Sequence, residues 1–396
     1  MSVLRQPADN AAPLELSVVI PCLNEDRTVG ACVATAVAAI AGAGIAGEVI
    51  VADNGSRDRS REKAAQAGAR IVPVAERGYG AALMAGIVAA RGRYIVMGDA
   101  DGSYDFAEIP HFVAKLRAGA ELVQGCRLPS GGGTVAPGAM PWLHRWIGNP
   151  CLTLLARIMF RTGLHDVYCG LRAFSKEFYE RMEQRCTGME FATEMIIKAA
   201  LHRARVTEHP ITLHRDGREG DASHLRTFRD GWRTLRLFLL YSPKWIHLVP
   251  SLCSITLGTI FGAMALAGVH IGPAALGPHT LLVSAIAIIL GYQGVMLALF
   301  TSTFAWRANL APAPRFLELF YGLFTLERGI VASLVGAILG VALIGSVFLE
   351  WRAAGYGNLA YALTLRRVIP GVLLIALAAQ TFFGSFVISL TSMERK

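Results

Sequence analysis

Tyr94-Ile95-Val96-Met97-Gly98-Asp99-Ala100-Asp101-Gly102-Ser103-Tyr104-Asp105 is the stretch that decides the fold. The run Tyr94–Met97 is apolar, as a buried strand requires, and Gly98 ends it. Two carboxylates follow one residue apart, Asp99 and Asp101. Alternate residues of an extended segment point the same way, so both acids can face one spot at a strand's carboxyl end. Ligands of open α/β sheets bind beyond that end. Two hard oxygen donors there suit Mg2+ or Mn2+ that also holds a diphosphate. The same letters also describe a solvated Asp-Gly turn, so the flanking segments have to decide.

Upstream, residues 16–20 (LSVVI), 48–52 (EVIVA) and 70–74 each predict a short strand. Helical patterns follow from about residue 28 and over 81–90. Strand, turn and helix repeated with short loops predict βαβ units and a parallel sheet covered by helices. Glu25 and Asp53 stand just after the first two strands. With Asp99 and Asp101 they make four acids on one sheet edge, a convergence that favours a nucleotide-plus-metal pocket. Gly78-Tyr79-Gly80 fails the dinucleotide fingerprint, because Leu83 stands at its sixth position and the turn follows the third strand. A nicotinamide site is excluded. Such a turn before a helix either holds phosphate on backbone N–H groups or is a plain tight turn.

Four segments in this order, Val19-Ile20-Pro21-Cys22-Leu23-Asn24-Glu25, Val51-Ala52-Asp53-Asn54-Gly55-Ser56-Arg57-Asp58, Arg77-Gly78-Tyr79-Gly80-Ala81-Ala82 and Asp99-Ala100-Asp101, resemble the family-2 glycosyltransferases of the GT-A fold. Within them the chain looks closest to polyprenyl-phosphate sugar synthases of the dolichyl-phosphate mannose or glucose synthase type, over residues 15–245. The resemblance implies a Rossmann-like, mostly parallel GT-A domain in the cytosol and an inverting transfer of a hexose from a nucleotide sugar. UDP-glucose is the favoured donor and GDP-mannose the next, with polyprenyl phosphate as acceptor. It implies donor contacts from Pro21, Asn24, Glu25, Asp53, Gly78, Gly80, Asp99 and Ala100. Mg2+ or Mn2+ would sit on Asp99 and Asp101, and Asp166 would lie near the sugar as a third catalytic acid. Arg127, Arg145 and Arg172 would take the acceptor phosphate. One departure is Gly102-Ser103-Tyr104, where mannose synthases commonly carry Leu-Gln, so a third metal contact falls to Ser103 or to water.

The remaining stretches read as follows. Residues 121–125 predict a further strand, and the Gly/Pro-rich 129–141 a mobile lid or a disordered connector. Residues 142–149 lead an apolar helix over 150–160. Asp166 and Arg172 are either site residues or a structural salt bridge, and Glu190 and Glu194 either face the pocket or cover a helix surface. Residues 225–241 place Leu225, Phe228, Trp232, Leu235 and Leu239 on one helix face and Arg226, Arg229, Arg233 and Arg236 on the other. That pattern suits a helix in a membrane interface or one packed on the sheet.

Apolar stretches over 245–268, 279–304, 330–349 and 368–391 each reach the ~20 residues that cross a bilayer core. The expected organisation is a glycosyltransferase domain over 1–220, an amphipathic segment over 221–244 and about four membrane helices over 245–396. A 53% hydrophobic composition agrees with a membrane half. Residues 1–16 lack an apolar h-region, so no cleavable signal is expected and the first domain is placed in the cytosol, at a multi-pass cell (inner) membrane. A four-span count puts loop 305–329 inside and loop 350–367, with Arg352, Arg366 and Arg367, outside, against a strict positive-inside count. The net charge of +9 fits anionic lipid and phosphorylated substrates. Nucleic acid is not an expected partner, since no stacking platform accompanies the basic residues; a homo-oligomer is compatible. Seven cysteines without C-x-x-C pairs argue against a disulfide framework or zinc site. Two other classes share parts of the pattern. A processive polysaccharide synthase would show Q-x-x-R-W, whereas Trp142-Leu143-His144-Arg145-Trp146 lacks the Gln. A non-catalytic membrane scaffold would not need every acidic position.

Overall fold

A computed structural model describes residues 14–217, 227–308 and 312–392. Leu225 and Arg226 of the amphipathic segment, and residues 1–13 of the stretch read for a signal, lie outside the described residues. The chain divides into two compact units at Phe238/Leu239, within the segment expected to be a separate amphipathic element.

The first unit is built on β1 (Leu16–Cys22), buried along its whole length. On one side it runs parallel to β2 (Gly47–Asp53), with Cys22 opposite Asp53, and on the other parallel to β4 (Tyr94–Met97), with Val19 opposite Met97. β3 (Arg70–Pro73) extends the sheet beyond β2. Three crossovers, α1 (Val29–Gly42), α2 (Ser60–Gln66) and α3 (Tyr79–Ala89), connect them. α1 buries Val29, Cys32, Val33, Ala36 and Ile40 at helical spacing. After α4 (Ile109–Arg117), β5 (Leu122–Cys126) runs parallel to β8 (Val206–Pro210) at the edge. β7 (Arg172–Ser175) is antiparallel between β4 and β5, giving seven strands in the order β3-β2-β1-β4-β7-β5-β8. α5 (Asn149–Phe160), α6 (Lys176–Met182) and α7 (Phe191–Leu201) complete the layers.

Three expectations change on contact with the fold. The 129–141 loop is tied down: β6 (Thr134–Val135) pairs with β9 (Thr212–Leu213), and Val135 is buried. Ala139 and Met140 pack against the core. Glu194 does not face a pocket; it is fully buried, accepts the N–H groups of Arg185 and Cys186, and pairs with buried Lys198 at 2.9 Å. α8 (Thr227–Tyr241) is a helix, but its packed face carries Thr234, Leu237 and Phe238, while Trp232 stays exposed. Phe238 meets Phe160 edge-on, with ring centroids 5.5 Å apart.

Among the described residues, four helices of the second unit are long and apolar enough to cross a membrane: Lys244–Leu266, Pro278–Arg307, Leu326–Ala353 and Tyr361–Thr391. They contain α9 (Val249–Leu266), α10 (Pro278–Arg307), α12 (Leu326–Ala353) and α13 (Tyr361–Ser392), with α11 (Arg315–Leu323) before the third. Glycines let the backbones touch. A Cβ on Gly258 would stand 2.8 Å from the Ser284 carbonyl, and one on Gly340 2.7 Å from that of Gly371. Close approach of this kind replaces the hydrophobic drive that lipid does not supply. The chain is a multi-pass membrane protein.

Removing Glu194 leaves Lys198 as an uncompensated buried charge. Glu194→Ala is expected to cost about 3–5 kcal/mol, read as an early thermal transition of the detergent-solubilised chain, whereas surface Glu177→Ala leaves the transition in place.

Candidate active site

β2, β1 and β4 are parallel neighbours, so the loops after them leave from the same edge. Asp53 closes β2, Glu25 lies three residues past Cys22, and Asp99 and Asp101 follow Met97. Their fields meet at two buried thiols. Burial pushes the Cys32 thiol up to about 11, with the charges of Asp101, Glu25 and Asp99 adding to it. Cys22 is likewise pushed up to about 11 by burial, with Asp53 and Glu25 contributing. The four acids are gathered, not scattered.

The loops are stitched to one another. Asn24 adopts a left-handed conformation (φ 57°); its N–H donates to Ser56 Oγ at 3.0 Å and its Oδ1 accepts from the Arg57 N–H at 2.9 Å. The Glu25 N–H donates to Ser60 Oγ at 2.8 Å. Asp53 accepts the N–H groups of Gly55 and Ser56, an Asx turn that fixes its carboxylate. Pro21 is buried within β1 and Ala100 is buried after β4, where its carbonyl accepts from Cys32 Sγ. Asn54 bridges onward, donating to the Glu76 carbonyl at 2.7 Å and accepting from the Gly78 N–H at 2.8 Å.

Gly78 and Gly80 serve close packing. A Cβ at Gly78 (φ +148°) would lie 2.3 Å from the Thr187 carbonyl oxygen, and one at Gly80 2.4 Å from that of Cys186. With its N–H spent on Asn54, Gly78 is not the phosphate cradle that the turn suggested. Asp99 and Asp101 are half-buried. Asp99 Oδ1 accepts from the Tyr79 hydroxyl at 2.9 Å, and Asp101 Oδ1 accepts from the Ser103 N–H at 3.0 Å.

The expected acceptor and sugar residues are placed differently. Asp166 is fully buried and accepts from Arg127 Nε at 2.7 Å and Nη2 at 3.0 Å, as well as from the N–H groups of Arg127 and Tyr168. Burial alone would raise its carboxyl, but Arg127 more than offsets this and holds it below the usual 3.8. Asp166 is therefore paired with Arg127, not Arg172, and is a brace, not a group facing sugar. Arg172 is also fully buried; its Nη1 and Nη2 donate to the carbonyls of Ala192 and Cys169, which removes it from the phosphate-binding set. Arg145 is half-buried and lies over the Trp146 ring at 5.3 Å.

Sequence reading missed two contacts. The Tyr79 hydroxyl reaches Asp99, and the segment after β9 returns over the paired acids: the His214 N–H donates to the Ser103 carbonyl and the Gly217 N–H to that of Asp101, each at 2.9 Å.

With that geometry in place, residues 17–182 match Glycosyl transferase family 2, and residues 299–392 match the Glycosyltransferase family 2 C-terminal transmembrane region. The low-salt glycan biosynthesis hexosyltransferase of Haloferax volcanii is 35% identical over 382 residues, covering 96% of this chain and 90% of that one. The chain belongs to glycosyl transferase family 2. A dolichyl-phosphate hexose transferase of the same organism is 31% identical over 198 residues, 50% of this chain and 82% of that one. Among solved structures, the Mycobacterium tuberculosis glucosyl-3-phosphoglycerate synthase bound to phosphoglyceric acid superposes with a TM-score of 0.45 at 20% identity, covering 58% of this chain and 80% of that one. This protein is a membrane glycosyltransferase with a GT-A α/β unit.

The Arg127–Asp166 pair makes a sharp stability prediction for the glycosyltransferase. Arg127→Met alone strands a buried carboxylate and should cost about 3–5 kcal/mol, while Arg127→Met with Asp166→Leu should recover most of it. Because the folded carboxyl sits below its unfolded value, the pair's contribution is full above pH 3.8 and fades as pH falls further. Thermal unfolding of the three proteins across that range measures both effects.

Proposed function

We propose that this glycosyltransferase moves a hexose from a nucleotide sugar to a membrane polyprenyl phosphate, with inversion. The observation that carries the reading is the gathering of Glu25, Asp53, Asp99 and Asp101 off one edge of β2, β1 and β4 in a chain with four membrane-length helices. The relatives named for hexose transfer, one of them to dolichyl phosphate, support it. UDP-glucose is the donor of first choice and GDP-mannose the second. The α/β unit is placed on the cytosolic side of the cell membrane, where nucleotide sugars are made.

The residues present fit a divalent cation completed by its substrate. Among the described residues no group of three His, Cys, Asp or Glu is placed to hold a metal, and Mg2+ is commonly held by one or two carboxylates plus substrate phosphates. Asp99 and Asp101 would hold Mg2+ or Mn2+, which supplies charge neutralisation for the departing diphosphate. Asp53 and Glu25 would grip the base and ribose end of the donor, in loops already fixed by Ser56 and Ser60. An acceptor phosphate with a second pKa near ~6 is largely ionised at neutral pH, so the attacking oxygen needs no strong general base. That chemistry agrees with Asp166 being occupied by Arg127. Arg145 stays in the acceptor role, and the exposed Trp142 (67%) and Trp146 (61%) beside it suit a bilayer interface.

Membranes holding the enzyme, supplied with radiolabelled UDP- or GDP-sugars and undecaprenyl phosphate, should yield a chloroform-soluble, mild-acid-labile product. Water-soluble or insoluble polymer would establish a processive synthase instead, and no turnover with any donor a non-catalytic role. Asp101→Asn is expected to lower turnover at least about 100-fold, the scale of several kcal/mol of lost charge stabilisation, while membrane insertion and melting stay unchanged. Near-full activity in that variant removes the metal assignment.

A further inference from the structure

Tyr79 is the first residue of α3, between Gly78 and Gly80. Neither the packing of the glycines nor the grip on a donor requires an aromatic hydroxyl there. That hydroxyl donates to Asp99 Oδ1 at 2.9 Å. We propose that Tyr79 is a positioning residue for the cation site, fixing the orientation of Asp99 through this bond. The inference rests on the reading of Asp99 as a metal-holding carboxylate.

Three observations give the bond its rigidity. The backbone around Tyr79 is clamped: the Gly78 N–H donates to Asn54 Oδ1 at 2.8 Å and the Ala81 N–H to the Thr187 carbonyl at 3.0 Å. The two glycines seat this turn against Cys186 and Thr187 with no room for a side chain. On the far side of Asp99, a Cβ at Gly170 would lie 2.8 Å from Oδ2 and 3.0 Å from the Tyr104 ring, and the Gly170 N–H donates to the Tyr104 hydroxyl at 2.8 Å. One carboxylate oxygen is thus held by a phenol while the other faces a glycine wall. A neutral phenol donating to a carboxylate makes a charge-assisted bond. Partners that orient metal-holding carboxylates without touching the metal typically contribute about 10–100-fold in affinity.

The test measures Mn2+ binding to the purified full-length protein with UDP present, by the electron paramagnetic resonance signal of free Mn2+, in the cold and below any melting transition. Tyr79→Phe removes one oxygen and keeps the ring. It is expected to weaken Mn2+ binding about tenfold, with UDP binding in the absence of Mn2+ unchanged; Asp99→Asn abolishes Mn2+ binding. Wild-type affinity in Tyr79→Phe overturns the positioning role while leaving the metal site standing. Failure of the wild-type protein to bind Mn2+ with either UDP or GDP overturns the underlying site and the inference with it.

Discussion

The price of burying a charge organises this molecule. β1 is covered on both faces along its length, and the inner residues of β2 and β4 are buried as well. Placing an unpartnered carboxylate in the middle of such a layer would cost several kcal/mol, so Asp53 takes the last position of β2, and Glu25, Asp99 and Asp101 come after the ends of β1 and β4. Three parallel strands in register then bring those ends together. Gathering of like charge at one edge is a consequence of where charge is tolerated and of strand direction. Deeper in the interior, charge is partnered: Asp166 with Arg127, Glu194 with Lys198, and two nitrogens of Arg172 with carbonyls.

Loops alone would leave the edge acids mobile, and here they are cross-braced. Asn24 ties the loop after β1 to the loop after β2, and Asn54 ties the latter to the turn before α3. From the first residue of α3, Tyr79 reaches the acid after β4. Three crossover units thereby share one hydrogen-bonded rim. A rim set before substrate arrives avoids part of the entropy that binding would otherwise cost.

Strand positions and the acidic edge were readable from the chain because both follow local rules: apolar β-branched runs, then Gly, Asn and Asp where the chain turns. The four spans were readable for the same reason, by length and hydropathy. Asp166 and Arg172 are six residues apart and invited pairing, but β7 turns Arg172 into the sheet while Arg127, 39 residues upstream of Asp166, closes on it. Nothing in local pattern announces an antiparallel strand as short as Arg172–Ser175 between two parallel neighbours. α8 shows the same limit. Its apolar residues form two overlapping faces, and only packing against Phe160 decides that Leu237 and Phe238 turn inward and Trp232 outward.

The donor set also bears on the order of binding. Asp99 accepts a hydrogen bond from Tyr79 and Asp101 one from the Ser103 N–H, and among the described residues no group of three acids, His or Cys is placed to form a cage. A hard cation that keeps most of its waters gains little from such a half-site alone. A diphosphate adds oxygens and charge at once, so cation and nucleotide should each strengthen the other's hold, and by linkage equally. Under the proposed reading, the sugar nucleotide is what assembles the site, and loss of the diphosphate after transfer loosens both together.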